Sequence, residues 1–354
     1  MPTLQAALAL RMERQHLTRP APETGYDPLF RLLSPVPTVY WCCPGDPPRL
    51  SFRANFDDGA YNDRRRSRRE IVKGRFLGGT LAYVEATELP LFAALCRKAP
   101  KSSETQRMLL DLLRREGPMS IGVMRELTGL PAKEITPALH KLQEAFLVFE
   151  DQADGSWERG WYLLEEEFPE VPASALSFEE ALQTVLLRFA EAFVFVEPAA
   201  AKSFYRLPLK AVSAALSSLC AQGKLEPLEL DGRTGFLRPE DRTLLNCAAP
   251  PDPSIFCLHR NDPLVRAEEA SLKERFPAGE WEPLQYLLID GDFRGVVLGK
   301  FRQSPHDVEE ILLDLPSEEA AARRKEILSA VWQVNSREHS PSPRLRTLSV
   351  FPKA

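Results

Sequence analysis

Four aspartates and a run of arginines share one short stretch of this chain. Asp46, Asp57, Asp58 and Asp63 lie before or at the start of DRRRSRREIVKGRF, residues 63–76. From Arg64 to Arg75 there are seven bases, Arg64, Arg65, Arg66, Arg68, Arg69, Lys73 and Arg75, against the single acid Glu70. One well-placed carboxylate is enough to take a proton from water, so Asp46, Asp57 and Asp58 are candidate catalytic residues. Such acids more often cap helices or make turns, and the DDG at 57–59 is a turn signal. The bases suit phosphate, each contact releasing counterions and making affinity salt-dependent. The competing reading is a solvated helix paired with acids from elsewhere. The formal charge of −5 does not by itself speak for nucleic acid, but its local concentration does.

Other chemistries find little support. The six cysteines are scattered without CxxC spacing or nearby histidines, and with five histidines there is no HExxH or HxH, so neither a metal site nor a cofactor is expected. There is no GxSxG, and GRFLGGT fits neither the phosphate-loop nor the dinucleotide spacing. The segment SPVPTVYWCCPGDPP, residues 34–48, supplies two aromatics, Tyr40 and Trp41, which could stack on a base or simply pack the loop. No apolar run approaches the ~20 residues of a membrane span, and MPTLQAALALRMERQHL lacks a secretory pattern, so a cytoplasmic protein is expected.

The elements that must position these residues are visible as a repeat. A window from about 104 to 165 recurs from about 181 to 242 at an offset of 77: Leu130-Pro131 falls on Leu207-Pro208, Leu139 on Leu216, and Asp154-Gly155 on Asp231-Gly232. Each copy reads as three helices and a hairpin. In the first, TQRMLLDLLRRE has one apolar stripe, Ser120 caps the next helix, and the third helix runs into an apolar strand that turns at Asp154-Gly155. That order is the winged-helix arrangement. Its third helix can enter a major groove, where the first copy offers Lys133 and Lys141 and the second Lys210, with packing or protein contact as the alternative use.

The fold class expected is mainly α (α+β): an N-terminal helical region with a basic helix near 63–73 (1–100), winged helices at 101–170 and 175–245, a β-rich C-terminal domain at 250–335 after the proline-rich joint AAPPDPS, and a flexible tail at 336–354.

The order of parts, together with GGTLAYVEATELPLF, NDPLVR and YLLIDGDFRGVV, resembles the tandem winged-helix DNA glycosylases of the YcaQ/AlkZ type, over roughly residues 5–315. The resemblance implies a concave DNA cradle with Thr80 at its Gly-Thr stretch. It also implies a Gln-aliphatic-Gln or Gln-aliphatic-Asp pair that positions water at the glycosidic carbon, without metal or cofactor. In this chain that motif falls within Val36, Pro37, Thr38, Val39, Tyr40 and Trp41, where no Gln, Asp or Glu occurs, and the family histidine position is Ala82. The expected partner is double-stranded, damaged DNA bound by a monomer. The leading expectation is a DNA-binding protein of the glycosylase family, whose enzyme version needs a substitute base, Asp46 first and then Asp57 or Asp58. The rivals are a non-catalytic lesion binder and, if the arginines prove internally salt-bridged, winged helices used for protein contact.

Overall fold

The computed structural model describes residues 3–38, 45–100, 103–173, 176–249, 251–300, 307–338 and 343–348. Tyr40 and Trp41 lie outside the described residues, as do Cys42, Cys43 and much of the tail. The N-terminal region contains α1 (Leu4–Arg14), α2 (Glu23–Leu32), α3 (Asp58–Ser67), the hairpin β1 (Ile71–Leu77) and β2 (Thr80–Glu85), and α4 (Leu89–Cys96). The basic helix therefore begins and ends earlier than expected from sequence. Arg69, in the left-handed region at φ 60°, breaks it, and the largely buried IVKGRFL segment runs on as a strand.

The first repeat comprises α5 (Glu104–Glu116), β3 (Met119–Ser120), α6 (Ile121–Thr128), α7 (Ala132–Glu144), β4 (Val148–Asp151) and β5 (Gly160–Leu163), followed by the short helices α8 (Leu164–Glu167) and α9 (Glu170–Ala173). Its local signals act as the sequence suggests. Ser103 forms a capping box with Gln106, the Ser120 hydroxyl accepts from the Val123 amide, and Gly129 ends α6 at φ 72°.

The second repeat comprises α10 (Phe178–Phe193), α11 (Pro198–Tyr205), α12 (Leu209–Ala221), β6 (Glu226–Leu230) and β7 (Arg233–Leu237). α11 and α12 begin and end 77 residues after α6 and α7. Val196, offset by the same 77 from Met119, bridges Phe236 much as Met119 bridges Trp161. The hairpins diverge: Asp231 and Gly232 both have positive φ, closing a two-residue turn of the type that matches strand twist, whereas β4 and β5 are joined by a longer loop.

After α13 (Pro239–Cys247) come β8 (Ile255–His259), α14 (Pro263–Arg275), β9 (Glu282–Ile289), β10 (Asp292–Lys300), β11 (Asp307–Leu313), α15 (Ser317–Ala322), α16 (Arg324–Val334) and β12 (Arg344–Thr347). The strands form one sheet in the order β12-β11-β10-β9-β8. Strand alternation divides its residues: Tyr286 and Leu288 face the central core, while Leu287 and Ile289 face the layer containing Ile327 and Val331 of α16. Arg344–Thr347, expected in an irregular tail, instead pairs parallel to β11.

One central core joins the N-terminal helices, the β1–β2 hairpin, α4, the second repeat, α14 and a face of the sheet. Leu109, Leu113, Met124, Leu139 and Trp161 form a separate core inside the first repeat. The mixed α+β character is clear throughout.

Candidate functional site

The arginine run is mainly structural. Arg65 is 5% exposed and pairs with Glu85 at 2.9 Å and Asp27 at 3.2 Å. Arg66 bonds Asp63 and Asp151, and Arg69 reaches the other Asp151 oxygen while its guanidinium lies over the rings of Tyr162 and Phe149. Lys73 is buried beside the fully buried Glu150 at 3.0 Å. Burial raises the carboxyl affinity of Asp151 for its proton, but the bonds from Arg69 and Arg66 outweigh it and hold the group below the usual range. Glu150 behaves likewise, with Lys73 and Arg159 prevailing over burial. Arg65, Arg66, Arg69 and Lys73 are thus engaged in internal ion pairs, and all but the partly exposed Arg69 are buried. Arg75 is half-buried and donates to the Gly79 carbonyl. Arg64 and Arg68 remain exposed, as do Lys133, Lys141 and Lys210, with Lys141 paired to Glu144.

The aspartates also have local duties. Asp57 is the N-cap of α3, accepting from the Ala60 amide. Asp58 is buried and accepts from the Leu50 amide at 2.6 Å and the Tyr26 hydroxyl at 2.9 Å. Burial raises its proton affinity despite those two bonds. Neither Asp57 nor Asp58 is among the described residues that line the cleft described below. Asp46 follows Gly45, where an added Cβ would lie 2.1 Å from the Ala153 carbonyl oxygen, so this segment is pressed against the first repeat's hairpin loop.

A better-built site lies elsewhere. A cleft of about 440 Å3 opens between the segment after α2, the β1–β2 turn, the end of α11, α14 and β9. Pro37 and Thr80 stand on one side, and Arg206, Arg260, Glu269 and Lys273 on the other. Its volume is within the usual range for small-ligand sites, ~300–1,000 Å3. The NDPLVR stretch builds this wall. Asp262 caps α14 through the Leu264 amide and grips the fully buried Arg53 with two bonds, at 2.6 and 3.0 Å. Asn261 donates to the Thr38 carbonyl at 2.9 Å. Arg266 is buried, donates to the Pro35 and Phe204 carbonyls and lies over the Phe204 ring. Burial, and then nearby Arg206, lower its pKa to about 9. The segment leading to residue 38 is therefore held by two side chains, Asn261 just before α14 and Arg266 within it.

Glu269 takes bonds from Arg206 and from Lys273, the latter at 2.6 Å. Burial alone would raise its pKa, but the Lys273 bond and the charges of Arg206 and Lys273 prevail and keep it low. Tyr286, on the same wall, is pushed up to about 12 by burial and by the Glu269 charge. A neutral phenol, an ionised carboxylate and an excess of cations can together receive a phosphodiester and a polar group beside it. A larger groove, about 1080 Å3, lies between α1, α2, α10 and α13, but Arg14, Arg31 and Arg188 there are already committed to Asp241, Glu85 and Glu88.

Of the site residues singled out from sequence that lie among the described residues, Thr80 alone borders the cleft. Arg206, Arg260, Glu269, Lys273 and Tyr286 were missed. Glu269 and Lys273, four apart on a helix, look like an ordinary surface pair, and nothing local says that Arg206 reaches them from another element. Among the described residues no group of His, Cys, Asp or Glu could hold a metal, and no helix is long and apolar enough to cross a membrane.

The family model described as "DNA glycosylase AlkZ-like" matches residues 50–300, and the chain belongs to that family. Among solved structures, the DNA glycosylase AlkZ of Streptomyces sahachiroi has a similar fold, with a TM-score of 0.64 and 16% identity, covering 98% of this chain and 100% of that one. No curated protein sequence matches.

Proposed function

We propose that the protein binds damaged duplex DNA through its two winged-helix repeats and hydrolyses the N-glycosidic bond of a bulky N7-alkylated purine. The observation that carries this reading is the cationic cleft beside Pro37 and Thr38, where the family's catalytic pair would fall, in a chain whose family match spans 50–300. An N7-alkylguanine is already cationic and leaves readily, so positioning one water is a small catalytic demand. The test is formation of abasic sites in duplexes carrying N7-alkylguanine or an interstrand crosslink. Product is expected at stoichiometric enzyme, and none at excess protein would overturn hydrolysis.

A second reading has its own support: residues 36–41 contain no Gln, Asp or Glu, which favours a non-catalytic lesion binder. It expects tighter binding to modified than to plain duplex without abasic product. The internal pairing of Arg65, Arg66, Arg69 and Lys73 weakens the arginine segment as a DNA surface and moves the burden to the cleft and the repeats. Loss of all duplex binding at low salt would leave protein contact as the use of the repeats.

A further inference from the structure

We propose that Glu269 is the catalytic carboxylate of this protein, replacing the polar pair missing from residues 36–41. This rests on the hydrolase reading above. Three features of the cleft support it. Among the described residues of the cleft, Glu269 is the one acid on a wall otherwise supplied with Arg206, Arg260, Arg266 and Lys273. It is fixed from two sides, by Arg206 across from α11 and by Lys273 one turn along α14. Its side chain is 23% exposed, so it is reachable yet partly desolvated.

The charge distribution divides the work. Arg206 and Lys273, partly exposed beside Glu269, suit the phosphodiesters flanking an extruded nucleotide, whereas the sugar becomes cationic as the base departs. Among the described residues that line the cleft, Glu269 is the only carboxylate that could stabilise that cation. In the step assigned to it, the C1′–N9 bond breaks and its electron pair neutralises the positive charge of the alkylated base. A water oxygen bonds C1′, and the proton it sheds passes to the Glu269 carboxylate and then to solvent. Two cations hold Glu269 ionised, so it carries no proton before the step and passes on to solvent the one it takes.

The test uses the full-length protein and two duplexes, one with a neutral tetrahydrofuran abasic site and one with a cationic pyrrolidine in its place. Wild type is expected to favour the cationic duplex by about tenfold or more. Glu269→Gln should erase that preference while keeping affinity for the neutral duplex, and Glu269→Asp should retain part of it. On an N7-alkylguanine duplex, Glu269→Gln should cut the rate by about 100-fold or more. Arg206→Ala should move the acid limb of the wild-type rate profile to higher pH, since the carboxylate then protonates sooner. An equal preference in wild type and Glu269→Gln, or none in wild type, overturns the assignment. If wild type forms abasic sites and Glu269→Gln does so equally fast, the hydrolase reading stands and the Glu269 role falls. If wild type shows the charge preference but yields no abasic product, Glu269 faces the sugar in a binder and the hydrolase reading falls.

Discussion

The two repeats share a backbone plan and differ in what attaches them. α7 and α12 are both 13 residues long, and Leu139 and Leu216, 77 apart, are both fully buried. The first repeat keeps a core of its own, lends Phe146, Phe149, Leu164, Phe168 and Val171 to the central core, and meets the N-terminal region through a set of polar contacts as well: Lys73 with Glu150, Arg66 and Arg69 with Asp151, and Gln143 with the Lys73 carbonyl. The second repeat has its apolar residues merged into the central core, with Phe189, Phe204 and Leu216 beside Phe30 and Leu264. Apolar contact is non-directional and broadly cooperative, whereas buried ion pairs stabilise only while every partner stays in place. The first repeat should therefore be the separable unit and the second an integral part of the scaffold.

The largest expected effect comes from breaking that polar joint. Glu150→Gln leaves Lys73 buried without its counter-charge, and removing one partner of such a pair costs about 3–5 kcal/mol. Replacing both, as Lys73→Met with Glu150→Leu, should recover most of the loss. Chemical denaturation of the single and double variants measures this, and additive losses would show that the pair is not coupled. The matched truncations come next. Leu139→Ala and Leu216→Ala should each cost about 2–5 kcal/mol, but in different places. In hydrogen exchange, the first should release amides of residues 104–163 alone, and the second should loosen α10 and α14 as well. Identical patterns would erase the distinction drawn between the repeats.

Much of this plan was legible in the sequence, because helix caps and turns are local. Ser120, Gly129, Pro131 and Pro208 mark helix ends by their own chemistry, and Asp231-Gly232 and Asp290-Gly291 close two-residue turns. The fate of the arginines was not legible. A run of bases shows charge, but the acids that claim it, Glu85, Glu150 and Asp151, come from other elements and are recognisable only after folding. The same blindness hid the cleft, since Arg206 and Glu269 are 63 residues apart. β12 escaped notice because RLRT lies at a sheet edge and offers the core a single apolar residue, Leu345.

Acid should separate the repeats in a graded way. Glu150 and Asp151 are held below the ordinary carboxylate range, so their contribution is present above the unfolded pKa values and is lost as pH falls through the folded ones. At the positions 77 further on, the second repeat has Pro227 and Leu228, which do not titrate. As pH falls below about 4, protection in residues 104–163 should drop before that in residues 178–237. Simultaneous loss would mean that the polar joint does not govern attachment.

The smallest effect on stability, and the sharpest on function, belongs to a pair of lysines. Lys133 and Lys210 are the second residues of α7 and α12, offset by the same 77, and both are exposed. Replacing either with Ala should change stability by no more than about 0.5 kcal/mol. If each repeat presents its third helix to the duplex, each lysine neutralises one phosphate. Each single variant should then reduce the slope of log affinity against log salt by about 0.9, and the double variant by about 1.8. The measurement is duplex binding across a salt series. Equal changes would mean that the repeats grip DNA alike despite their different attachment. A change at Lys210 alone would assign DNA to the integral repeat and leave the separable one for another contact.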